Sequence, residues 1–241
     1  YTNDEVYINA IREAIKLGFN HIDTAEMYGG NHTEEIIGEA IKDFDRKKLF
    51  ITTKVSPENL RYNDLINSAK NSLKRLGTDY IDLYLIHRPN SEIPIKETME
   101  AMNYLIDKNL VKYIGVSAFD IVQMKEAQKY SKYPIVANQL KFSLWKKSDI
   151  ETINYCIKND IIVIAYKILG RGKLLTHKIE YLSDLAKKYN KTEAQIIINW
   201  VISKKNTVAL FKSTNQEHIK KNLDVFDFKL SKDEINRLES L

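Results

Sequence analysis

A single cysteine, Cys156, stands among 241 residues, which excludes an internal disulfide and suits a reducing compartment. It lies in the apolar helical face of residues 150–157, the place of a small core residue rather than a nucleophile. Proline and glycine are scarce, at four and eight, so the chain reads as regular elements joined by short connections. No apolar run is long enough to cross a bilayer and no secretory leader pattern is seen, so a cytoplasmic setting without a membrane partner is expected. Charge of one sign does not dominate either: 37 basic residues face 32 acidic ones, with the lysines scattered beside Glu and Asp as on solvated helices. Without a basic stripe or interleaved aromatics, no nucleic-acid partner is expected. With 44% hydrophobic residues the chain can bury a sizeable core, and one domain spanning 1–241 is expected.

What is present is an alternation. Seven apolar runs of strand length recur, at residues 21–25, 49–55, 80–87, 113–118, 135–140, 161–166 and 207–212. Amphipathic stretches with helical spacing separate them. Ile8, Ile11, Ala14, Ile15 and Leu17 share one face; Leu65, Ile66, Ala69, Leu73 and Leu76 share another, closed by Gly77 as a C-cap. Thr33 and Thr192 read as helix starts, the second with capping-box spacing to Gln195. Strands alternating with helices pair in parallel, because each return to the same edge of a sheet needs a crossover. Strands apolar nearly throughout belong to a sheet covered on both faces. The expected fold is α/β, a (β/α)8 TIM barrel. A doubly wound sheet is the alternative, but no strand runs into a Gly-x-Gly-x-x-Gly turn, and "LGRG" at residues 169–172 is too short to be one. Such a barrel has eight strands and seven are identifiable. The first recognisable element is a helix over about residues 3–17, so the first strand is expected to lie upstream of this chain.

Barrel chemistry collects at the C-terminal ends of strands and in the loops after them. Four polar residues fall there: Asp23 and Tyr28 around "HIDTAEMYGG", Lys54 near the end of "LFITTKV", and His87 closing "YIDLYLIH". Each has an ordinary structural reading, as a turn cap, one of 14 tyrosines, a solvated lysine and a core histidine. Four ionisable groups aimed at one barrel mouth are different, because burying them is costly unless they satisfy one another. A lysine beside a tyrosine stabilises phenolate charge, an aspartate keeps the lysine charged, and a histidine shares hydrogen bonds with the tyrosine and a substrate oxygen. That set is a proton donor for a developing alkoxide. It lacks a source of hydride.

Along its whole length, apart from an N-terminal hairpin and first barrel strand, the sequence resembles the aldo-keto reductase superfamily. The matching stretches are "FNHIDTAEMYGG", "FITTKV", "SLKRLGTDYIDLYLIHRP", "YIGVSAF", "NQLKFS", "IIVIAYKILGRG" and "LFKSTNQEHIKKNL". The resemblance implies an NADPH-dependent oxidoreductase that reduces aldehydes or ketones to alcohols, acting as a monomer or weak homo-oligomer on a small carbonyl substrate. It implies that Asp23, Tyr28, Lys54 and His87 are the catalytic tetrad. Tyr28 is then the general acid, tuned by Lys54 and Asp23, and Tyr28, His87 and Arg88 face the substrate. No metal is implied. For NADP(H), it implies that Asp23 borders the cofactor and that Ser117 and Gln139 hold the carboxamide. Tyr166 stacks on the nicotinamide and Leu169 runs along the pyrophosphate. Lys212, Ser213 and Thr214 take the 2′-phosphate, and His218 and Asn222 lie by the adenine.

Five positions depart from the family's habit. Ala118 stands where Asn usually follows Ser117, Lys167-Ile168 where Ser-Pro is common, His218 where Arg is common, and Arg88 where Trp often follows the histidine. The chain also stops at Leu241, directly after a helix, without the long C-terminal loop of many members. Two rival readings stand beside the reductase: a cofactor-binding regulatory subunit of the same fold, and a Schiff-base aldolase using Lys54.

Overall fold

The computed structural model describes residues 3–145, 149–177 and 179–241. They form two compact units, Tyr1–Asn138 and Gln139–Leu241. In the first unit the order is α1 (Asp4–Lys16), β1 (His21–Asp23), α2 (His32–Ile41), β2 (Phe50–Val55), α3 (Tyr62–Leu76), β3 (Ile81–Ile86), α4 (Ile95–Asp107), β4 (Val111–Ser117), α5 (Ile121–Tyr130) and the start of β5 (Ile135–Lys141). The second unit continues with α6 (Ile150–Lys158), β6 (Ile162–Tyr166), α7 (Lys173–Thr176), α8 (Glu180–Tyr189), α9 (Glu193–Ile202), β7 (Thr207–Ala209), α10 (Gln216–Lys221) and α11 (Lys232–Glu239). Seven strands are thus present among the described residues, as the apolar runs predict.

In the first unit β1, β2, β3 and β4 lie side by side in chain order, every pair parallel. A doubly wound sheet reverses its order after the first strand; this one does not, which is the winding of a (β/α)8 fold. In the second unit β6 and β7 are also parallel. Local chemistry explains the helices between them. The apolar stripe of α3 is buried from Leu65 to Leu76, and Gly77 ends it at φ 62°, its N–H reaching the Leu73 and Lys74 carbonyls. Thr192 and Gln195 form the expected capping box at α9, and Asp120 with Gln123 forms another at α5. Cys156 is fully buried on α6.

The strand limits differ from the apolar runs. β1 stops at Asp23 rather than residue 25, although Thr24 and Glu26 still donate their N–H groups to Thr52 and Lys54. β7 stops at Ala209 rather than residue 212; its register with β6 runs from Val163 and Thr207 to Ala165 and Ala209, and the Leu210 N–H donates to the Ala165 carbonyl at 2.9 Å. Apolar content does not record pairing, so an apolar run overshoots the strand that forms within it.

Successive side chains alternate across the sheet. Thr53 and Tyr84, register partners on β2 and β3, share one face. Thr53 donates to Glu34 of α2 at 2.6 Å, and Arg75 of α3 donates to the other oxygen of the same carboxylate at 2.7 Å. Burial, with the Glu26 and Glu34 charges behind it, pushes the Tyr84 phenol well above its ordinary value, so it stays neutral. Lys54 and Thr52 are left for the opposite face, where β1 offers His21 and Asp23 in the matching register.

Helices α1 and α2 are joined by His32. Its ring bridges Glu35 at 2.7 Å and Asp4 of α1 at 2.8 Å. Both hydrogen bonds favour the protonated ring, Glu35 more than Asp4, and raise the pKa above 6.5. A folded pKa above the unfolded one means a contribution that is complete below 6.5 and is lost as pH rises through the folded value. The Tm difference between the protein and His32→Gln is therefore expected to shrink as pH goes from about 6 to about 9. A difference that grows with pH would show that the ring is held neutral.

Candidate active site

The loop after β1 brings the first two site residues together. Asp23 is the last residue of β1, and backbone bonds to β2 carry the chain on to Glu26. The Tyr28 N–H then returns to the Ala25 carbonyl at 3.0 Å, closing a turn. Gly29, Gly30 and Asn31 follow with φ of 58°, 61° and 77°, a left-handed run that two glycines and an asparagine adopt at little cost. This run starts α2 at His32, one residue before the expected Thr33, and the Asn31 side chain reaches back to the Glu26 carbonyl at 2.8 Å instead of capping the helix.

Lys54, the fifth residue of β2, has no exposed side-chain surface. Its ammonium donates to Asp23 Oδ1 at 2.6 Å and to the Thr24 carbonyl at 2.6 Å. It also lies 5.0 Å from the centroid of the Tyr28 ring. That ring meets His87, directly after β3, edge to face, with centroids 5.4 Å apart at 81°. Burial first, and then the Lys54 charge, push the His87 ring down to about 4. It is therefore uncharged at neutral pH, offering one N–H and one bare nitrogen. Tyr28 is 37% exposed, so the tetrad presents its phenol to solvent and hides its lysine. All four predicted tetrad residues thus meet in the first unit. Arg88 follows His87 and is exposed. Its loop is tied down by Asn90, whose side-chain amide donates to the Pro57 carbonyl at 2.9 Å.

The residues expected around a dinucleotide fall in both units. Ser117 closes β4 and is buried, and Ala118 after it has φ 58°. In the second unit Gln139 is buried in β5, and Tyr166 closes β6, with the Lys167 ammonium 5.4 Å from its ring centroid. Leu169 lies in the loop after β6 and its carbonyl accepts the Gly172 N–H at 2.9 Å. Lys212, Ser213 and Thr214 sit three to five residues beyond the end of β7, not at its end as the apolar run suggested. They lead into a turn in which Asn215 caps α10, donating to Ser213 Oγ and accepting from the His218 N–H. Asn222 is the C-cap of the same helix. Within the second unit the side chains have the chemistry that a phosphorylated dinucleotide uses: the buried Gln139 amide, the Tyr166 ring, and the exposed Lys212 followed by two hydroxyls.

One residue of this loop escaped the sequence reading. Glu26 is 4% exposed, and its Oε1 accepts the Ser56 N–H at 2.5 Å and the Asn59 side-chain amide at 3.1 Å. An acid set between Ala25 and Met27 was the available signal. Its partners 30 and 33 positions away depend on register and leave no local spacing to read.

The family model described as the aldo/keto reductase family matches residues 1–241. The glyoxal reductase of Bacillus subtilis (strain 168) is 34% identical over 234 residues, covering 96% of this chain and 82% of that protein. The thermostable aldo-keto reductase Tm1743, solved with the inhibitor epalrestat, superposes with a TM-score of 0.95 at 44% identity, over 100% of this chain and 88% of that one. An aldo-keto reductase from Klebsiella pneumoniae in complex with NADPH gives 0.91 at 29% identity, over 100% and 86%.

Proposed function

The chain belongs to the aldo/keto reductase family, and on that premise we propose that it is an NADPH-dependent carbonyl reductase, converting small aldehydes or ketones to alcohols. The observation that carries this reading is the buried Lys54 ammonium, fixed by Asp23, 5.0 Å from the exposed ring of Tyr28 and beside a neutral His87. In this reading the neutral His87 donates its N–H to the carbonyl oxygen and orients it. The Tyr28 hydroxyl gives that oxygen its proton as the C–O bond becomes single. Lys54 stabilises the phenolate left behind, and Asp23 holds the ammonium in place. Solvent at the half-open Tyr28 returns the proton. The hydride comes from NADPH when it is bound. Asp23, Ser117, Gln139, Tyr166, Leu169, Lys212, Ser213, Thr214, His218 and Asn222 are proposed to hold that cofactor, and Arg88 to border the substrate. A monomeric or weakly associating cytoplasmic enzyme, built as one domain, is the accompanying proposal.

The aldolase reading needs the Lys54 nitrogen to reach a substrate carbonyl. That nitrogen is fully buried and bonded to Asp23 and Thr24, so the geometry opposes it. The test is NADPH oxidation by a panel of glyoxal, methylglyoxal, aromatic aldehydes, ketones and sugars, repeated with NADH. Turnover with kcat/KM higher for NADPH is expected. Tight NADPH binding with no turnover on any member would favour the regulatory subunit, and equal values for the two cofactors would remove Lys212 as a phosphate ligand.

Ala118 gives a separate prediction. Alanine pays roughly 1–2 kcal/mol in the left-handed region, which asparagine enters more readily. Ala118→Asn is expected to raise the Tm and to tighten NADPH binding by roughly 0.5–1.5 kcal/mol, if the amide supplies the missing carboxamide bond. Calorimetry and a fluorescence titration check the two effects. A higher Tm with an unchanged Kd would show that the carboxamide is already satisfied.

A further inference from the structure

We propose that Glu26 is a positioning residue for the proton donor: its carboxylate clamps the Tyr28 loop to the segment after Lys54 and so sets the distance between phenol and ammonium. The proposal rests on the reductase reading. Four bonds converge on this one residue. Its N–H donates to the Lys54 carbonyl at 3.2 Å, its carbonyl accepts the Asn31 side chain at 2.8 Å, and its carboxylate accepts from Ser56 and Asn59. The first pair closes the loop on both sides of Tyr28. The second pair ties it to the 3-10 turn (Pro57–Asn59) that follows β2.

The arrangement is unusual for a structural acid. Among the described residues no cation pairs with Glu26, although it is nearly fully buried. A buried carboxylate satisfied only by neutral donors is expensive, and a neutral residue would fill the space at lower cost. The acid is explained if the short backbone bond at 2.5 Å must be stiff, since a bond to a charged acceptor is roughly twice as strong as a neutral one. Tyr28 needs that stiffness. It is 37% exposed and lies between Met27, 43% exposed, and two glycines, so its chain neighbours add little packing to hold the loop. The Lys54 side of the contact is already rigid through Asp23 and Thr24. The loop is the free side, and Glu26 is its fastening.

Two variants cut the clamp from opposite sides. Glu26→Ala removes the acceptor. Ser56→Pro removes the donor, and Ser56 has φ −67°, the value proline imposes. With NADPH and methylglyoxal, each is expected to lower kcat on the order of 10²-fold, as a ~1 Å misplacement does, with KM and the NADPH Kd little changed. The double variant should lose no more than either single one. Glu26→Gln, which keeps the acceptor oxygen but not its charge, should recover only part of the rate. Wild-type kcat in both single variants, or a rate loss in step with a fall in Tm and in NADPH affinity, would overturn the proposal. An inactive wild-type protein would instead overturn the reductase reading.

Discussion

Tyr28→Phe is expected to lower kcat/KM by roughly 10²–10⁴-fold and to leave the NADPH Kd almost unchanged. The substitution deletes one oxygen and keeps the ring, so the edge-to-face contact with His87 at 5.4 Å survives. Lys54 keeps Asp23 and the Thr24 carbonyl, so the buried charge remains satisfied and the fold is not put at risk. What goes is the proposed proton donor. No other group takes its place, because His87 is pushed down to about 4 and carries no acidic proton to spare at neutral pH. Steady-state kinetics with NADPH and methylglyoxal, with a binding titration on the same preparation, separate the two quantities. Turnover like the wild type's would remove Tyr28 from the mechanism.

Lys54→Met should cost both activity and stability. Methionine matches the length of the lysine but leaves Asp23 Oδ1 and the Thr24 carbonyl without their donor, 2.6 Å away in each case. The Asp23 side chain is only 11% exposed, so its charge would lose the ammonium that offsets it. Breaking such a pair from one side costs roughly 3–5 kcal/mol, which for a chain of this size lowers the Tm by on the order of 10 °C. Activity should fall with it, because the variant loses the ammonium that lies 5.0 Å from the Tyr28 ring centroid. Adding Asp23→Asn to Lys54→Met removes the carboxylate charge that the ammonium had offset and should return part of the Tm but none of the rate. Thermal melts of the three variants test this, and an unchanged Tm in Lys54→Met would show that Asp23 is solvated well enough to stand alone.

Much of this molecule could be read in one dimension. The seven strands, the parallel pairing, the Gly77 cap, the Thr192 capping box and the Asp23, Tyr28, Lys54 and His87 group all follow from signals a few residues wide. Apolar period, turn residues and the habit of placing polar groups at strand ends are local properties. The chain carries them whether or not it is folded.

The tertiary structure decided the rest. That Glu26 meets Ser56 and Asn59 depends on β1 and β2 pairing His21 with Phe50 and not one residue aside. A slip of one would turn Lys54 to the Glu34 face. The strand limits depend on the backbone pairing of β1 with β2 and of β7 with β6, which no run of apolar residues records. The charge state of His87 depends on how much water the packed chain excludes and on an ammonium that arrives from another strand. Hydrogen-bond register, burial and electrostatic fields are properties of residues brought together across long loops. They come into being only when the chain closes on itself, and in this protein they set a loop tyrosine beside a buried ammonium and an uncharged imidazole.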